Sequence, residues 1–101
     1  MRTNAYAIFD RASGAYSQPF FLPSDGAARR SFGDSANNTE LNVGMHPEDY
    51  TLFRIGRYDD ATGELAQEVP EKIVGAWELV RSMPDGQLLD PNDITQVNDK
   101  E

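Results

Sequence analysis

Tyr50-Thr51-Leu52-Phe53-Arg54-Ile55-Gly56-Arg57-Tyr58-Asp59-Asp60-Ala61-Thr62-Gly63 is the stretch that decides the fold. Its first nine residues are rich in aromatic and β-branched side chains and read as a strand. Asp59-Asp60-Ala61-Thr62-Gly63 then turns the chain. An Asp carboxylate accepts from backbone amides two residues on, and Gly supplies a positive φ. Glu64 to Val69 reads as the returning strand. The same chemistry stands earlier, in Phe9-Asp10-Arg11-Ala12-Ser13-Gly14. Both turns read aromatic-Asp-x-Ala-[Ser/Thr]-Gly, which predicts two hairpins with one loop geometry.

The first hairpin pairs Asn4–Phe9 with Ala15–Leu22. Pro19 has no amide proton for a ladder, so the second strand is expected at an edge or with a bulge. Ser24 or Asp25 caps a helix over 26–35. Ala28 and Phe32 are four apart and share its core face, while Arg29 and Arg30 fall away from it. Gly26 and Gly33 make that helix dependent on packing. Residues 36–45 are polar and read as a loop, and His46-Pro47-Glu48-Asp49 suits one helical turn. Ile73, Ala76, Trp77 and Val80 recur at helical spacing, so a short amphipathic helix is preferred over 72–80. Val74 and Gly75 leave a strand open there.

The fold class is therefore α+β: a small antiparallel sheet of two β-hairpins, one helix between them, and a short C-terminal helix. Residues 1–82 form a single domain. Residues 83–101 are polar and acidic and read as a mobile tail. With 39% hydrophobic residues in 101, the chain can bury one modest core, expected between Ala5 and Val80.

There is no cysteine, which excludes disulfides, thiolate metal sites and thiol nucleophiles. No apolar run approaches the roughly 20 residues that cross a bilayer. Met1-Arg2-Thr3-Asn4 lacks the apolar stretch of a signal peptide, so Asn37-Asn38-Thr39 is read as an accidental sequon. The formal net charge is −8, and residues 61–101 carry most of it, with three basic groups against nine acids. Such a chain is poorly suited to non-specific binding of nucleic acid, although residues 1–60 leave room for a local basic face.

Little points to catalysis. His46 is the one histidine, and before Pro47 it reads as a cap or surface residue. No nucleophilic triad and no glycine-rich phosphate loop is present. Glu48-Asp49 and Asp59-Asp60 invite a metal, but the turn lacks the alternating ligands of a calcium loop. No enzymatic activity, metal or cofactor is expected. A catalyst would need Asp59, Asp60 and Glu48 to converge in one cleft.

Binding is better supported. Tyr6, Tyr16, Phe20, Phe21, Phe53 and Tyr58 are interleaved with Arg11, Arg54 and Arg57. Bases stack on aromatic faces while arginines meet phosphates, so such a sheet can hold single-stranded nucleic acid. The opposing expectation is that these rings are simply the core. Arg29, Arg30, Arg54, Arg57 and Tyr58 are the candidate nucleic-acid-binding residues. A contiguous positive strip favours DNA. Arginines scattered or neutralised by carboxylates favour a protein partner.

Three segments also resemble a known family. They are Gln18-Pro19-Phe20-Phe21, then Gly26-Ala27-Ala28-Arg29-Arg30-Ser31-Phe32-Gly33-Asp34, then His46-Pro47-Glu48-Asp49-Tyr50-Thr51-Leu52-Phe53 running to Gly63. Together they resemble the small nonstructural protein of gokushovirus-like microviruses, over about residues 5–66. Arg29 departs from the apolar residue usual beside the helix Ala, and nothing after Val69 fits the pattern. The resemblance implies an accessory protein in the host bacterial cytoplasm that binds single-stranded DNA and assists genome replication or packaging. The alternative is an acidic interaction module that regulates a viral or host replication protein without touching DNA. A homodimer through an exposed edge strand is also expected.

Overall fold

The computed structural model describes residues 2–81, so the tail expected over 83–101 lies outside the described residues. Within them the chain is α+β, with its elements in the order β1 (Arg2–Asp10), β2 (Ala15–Tyr16), β3 (Phe20–Leu22), α1 (Asp25–Ala36), α2 (Asn42–Met45), β4 (Tyr50–Asp59) and β5 (Glu64–Gly75). Single 3-10 turns occupy Pro47–Asp49 and Ala76–Glu78. The strands form one antiparallel sheet in the order β2-β1-β4-β5, with β3 also on β1. The two hairpins are joined by β1 and β4, which pair from Arg2–Asp59 to Asp10–Tyr50.

The two turns share one geometry. Asp10 and Asp59 each accept from the amide two residues on, Ala12 and Ala61, both at 2.9 Å. Their carbonyls accept from Gly14 and Gly63 at 2.8 and 2.7 Å. Those glycines have φ of 73° and 77°, the left-handed region that glycine enters without steric cost.

Pro19 interrupts the strand that follows the first turn. Pairing stops after Tyr16 and resumes at Phe20. The Ser17 hydroxyl takes the place of a strand carbonyl, accepting from the Ile8 amide at 2.9 Å. The helix starts where expected: Ser24 accepts from the Ala27 amide at 3.1 Å.

Three expectations need correction. The returning strand of the first hairpin is two short strands. Residues 42–45, read as loop, form α2. The C-terminal helix is absent from 72–75, because β5 runs through Pro70 to Gly75 and only Ala76–Glu78 turns helically. A bulge between Leu52 and Phe53 accommodates Ile73, and Val74 pairs with Leu52.

One face of the sheet is closed by α1. Tyr6 and Leu52 from the sheet, Ala28, Phe32 and Ala36 from α1, and Val74 from β5 form the buried centre. Leu79 and Val80 pack at its margin, so the core spans the expected range. Burying a Phe such as Phe32 contributes about 2 kcal/mol.

Candidate binding surface

Strand alternation sorts the side chains onto two faces. Asn4, Tyr6 and Ile8 of β1 face α1, and register sets Arg57, Arg54 and Leu52 opposite them. Ala5, Ala7 and Phe9 face the other way. Their neighbours there are Phe21, Tyr16 and Phe53, with Tyr58 opposite Thr3.

On the α1 face the arginines are already occupied. Arg54 is held by three carboxylates: Asp25 at 2.6 Å, Glu71 at 2.5 Å and Glu68 at 3.4 Å. Arg57 takes the other oxygen of Glu68 at 2.6 Å. The bond to Asp25 raises the Arg54 pKa further above its already high value. Asp25 also accepts from the Tyr6 hydroxyl at 2.7 Å. That bond and the Arg54 guanidinium hold the Asp25 carboxyl below the usual carboxylate range. Burial, reinforced by Asp25, pushes the Tyr6 phenol up to about 12. Arg57, then Arg54, lowers Glu68.

Other cations are likewise paired: Arg2 with Asp59 at 3.8 Å, Arg11 with Asp49 at 2.8 Å and Lys72 with Glu78 at 3.2 Å. Arg29 and Arg30 lie exposed on α1, and among the described residues no carboxylate lies within ion-pair distance of either. The five candidate residues are thus divided among three surfaces. Arg54 and Arg57 are together but neutralised, Arg29 and Arg30 are on the outside of the helix, and Tyr58 is on the opposite sheet face. They form no continuous positive strip. Glu48 lies just before β4 and Asp59 is its last residue, so the two stand at opposite ends of the strand and do not converge on a catalytic cleft.

Tyr6 and Phe20 belong to the core, whereas Tyr16, Phe21, Phe53 and Tyr58 lie on the face away from α1. There the rings form two clusters. Phe9, Tyr16 and Phe53 meet with centroids 4.9, 5.6 and 6.5 Å apart. Phe21 and Tyr58 lie 5.5 Å apart. Between them runs a groove of about 500 Å³ lined by Ala5, Pro19, Phe21, Ile55 and Leu65. A second hollow continues past Tyr16 to Pro70. Among the described residues no helix packs on this face. Phe21 and Leu65 remain 44% and 60% exposed, which is high for large apolar groups on one patch. Phe9, Ile55 and Leu65 were not singled out from the sequence. The available signal was that β1 alternates between two apolar sets, Tyr6/Ile8 and Ala5/Ala7/Phe9, and so has no wholly polar face.

Among the described residues, fold and surface together define a small α+β protein with one sheet face closed by a helix and the other open and aromatic. The chain belongs to the Phage ORF5 protein family, whose match covers residues 3–79 and so includes both hairpins, α1 and the last 3-10 turn. Membership identifies a phage protein and fits an accessory role. Neither a curated protein nor a solved structure matches the chain. No helix among the described residues is long and apolar enough to cross a membrane.

Proposed function

We propose that this chain is a non-catalytic accessory protein of a gokushovirus-like phage, acting in the host bacterial cytoplasm by binding a protein of the phage replication or packaging machinery. The observation that carries this is the open face: a largely apolar groove lined by Phe21, Ile55 and Leu65 in a chain whose net charge is −8. A protein surface with its own apolar anchors fits such a groove, because central contacts in protein interfaces are aromatic and depleted in charge. Phosphates find little there. Arg54 and Arg57 point to the other side and are balanced by Asp25, Glu68 and Glu71.

The test is direct capture. Purified replication initiator, capsid and scaffold proteins of the same phage are offered in turn to the immobilised chain and to its Phe21→Glu and Ile55→Glu variants. The expected result is one captured protein, with capture lost in the variants. No capture of any, or capture indifferent to both substitutions, overturns the proposal.

Single-stranded DNA is a second target, favoured by the two ring clusters and by Arg30, which is exposed and has no carboxylate within ion-pair distance among the described residues. A stacked base contributes about 1–3 kcal/mol without any cation. Binding of this kind would depend only weakly on salt, since few phosphates would be neutralised. Anisotropy of a labelled oligonucleotide at low salt separates the targets: saturable binding lost in Phe53→Ala supports DNA, and no binding leaves the protein target alone.

A further inference from the structure

We infer that in the free protein the open face is closed by a second copy of this chain, two sheets packing face to face with both α1 helices outward. This rests on the open face being the binding surface, and it names what occupies that surface before a target does. Two chains that each carry −8 repel. The approach with the least repulsion keeps carboxylates away from the contact. Here Asp25 and Glu71 lie on the α1 side, and Glu68, at the rim of the groove, turns its carboxylate to Arg54 and Arg57. The centre of the open face, from Phe21 across Ile55 to Leu65, carries neither acid nor cation. An uncharged apolar face is matched best by another, and a two-fold pairing supplies one without any further component.

The alternative contact, along the outer edge of β5, is poorly suited to self-pairing. Glu64, Glu68 and Glu71 lie along that strand, Pro70 lacks an amide proton, and pairing with β4 is interrupted twice by register shifts. Size sets the strength. Tyr16 and Phe21, each about half exposed, would together contribute roughly 200 Å² at about 200 Å² per ring residue. A standard interface takes about 800 Å² from each partner. Even with Leu65, Ile55 and Pro19 added, the pairing is weak and reversible, so a target that binds the same face displaces it.

Sedimentation equilibrium of the full chain, from about 1 μM to about 1 mM, spans the affinities of small interfaces. The apparent mass should rise from 11.2 kDa towards twice that value. The dissociation constant should rise at least about tenfold in Leu65→Glu, and added salt should tighten pairing by screening the like charges. Leu65 is 60% exposed, so the variant is expected to keep the fold, which circular dichroism checks. A mass that stays at 11.2 kDa throughout overturns the inference. So does a dimer that ignores Leu65→Glu, or one that salt dissociates, since either holds by another contact. A monomeric wild type leaves target capture by the open face standing. Capture indifferent to both Phe21→Glu and Ile55→Glu overturns that capture and not the pairing.

Discussion

Asp25 Oδ2 lies 2.6 Å from Nη1 of Arg54, tying the first turn of α1 to the middle of β4. The Arg54 side chain is only 16% exposed, and Asp25, Glu68 and Glu71 converge on it. An exposed pair contributes little to stability, but removing the common partner of three carboxylates leaves them to repel one another. Arg54→Ala should therefore destabilise the fold by about 2 kcal/mol, a value below that for fully buried pairs because Glu71 is largely exposed. Asp25→Asn, which keeps the shape and one acceptor, should cost about 1 kcal/mol. Urea denaturation of the two variants measures both.

Asp25 and Glu68 of this network, with Glu78 held separately by Gly75 and Lys72, fix the acid limit. Asp25, Glu68 and Glu78 are all held below their ordinary values of 3.8, 4.5 and 4.5. The unfolded chain therefore binds protons first as pH falls. The stability these groups contribute is complete above about pH 5 and is lost as pH drops through the folded-state values. Denaturation midpoints should fall steadily below pH 5. The fall should be shallower in Asp25→Asn, which removes one of the linked groups. An unchanged slope in that variant would mean that Asp25 is not linked to folding.

On the alkaline side Tyr6 is the most strongly linked group. Its phenol is protonated in the fold up to about pH 12, against 10.0 in an unfolded chain. Stability from this hydroxyl is complete below pH 10 and falls as pH rises from 10 towards 12. The chain has four tyrosines; burial, then Asp10 and Asp49, raises Tyr50 as well, and absorbance near 295 nm should show the Tyr6 step last, together with unfolding. Tyr6→Phe should remove that late step. It also removes the hydrogen bond to Asp25, at a cost of about 1 kcal/mol at neutral pH.

What was legible in the sequence was local. The Asp59 and Gly63 turn needs only its own five residues, so it was readable, as was the Ser24 cap. Helical spacing of Ile73, Ala76, Trp77 and Val80 misled because strand pairing overrode it: Val74 finds its partner in Leu52, which lies 22 positions earlier. The pairing of the arginines was hidden for the same reason. Arg54 looked like a free cation among aromatics, yet its partners stand 29, 14 and 17 positions away in the chain. Nothing local announces that three carboxylates will converge on it. The open face was half legible, since the aromatics were conspicuous but their division between core and surface depends on which face α1 covers.

The two turns allow one further prediction. Gly14 and Gly63 both have φ near 75°, and both would give an added Cβ open space, so the penalty for a side chain there is purely conformational. A non-glycine residue in the left-handed region costs about 1 kcal/mol. Gly14→Ala and Gly63→Ala should each destabilise by about that amount, and Gly→Asn by less, because its side chain bonds locally in this conformation. The two glycines lie in different hairpins, with no contact between them, so the double variant should lose about 2 kcal/mol. Thermal melts of the two single variants and the double variant provide the check. A double loss well short of the sum would mean that the hairpins unfold separately, in conflict with a sheet joined by β1 and β4 along their full length.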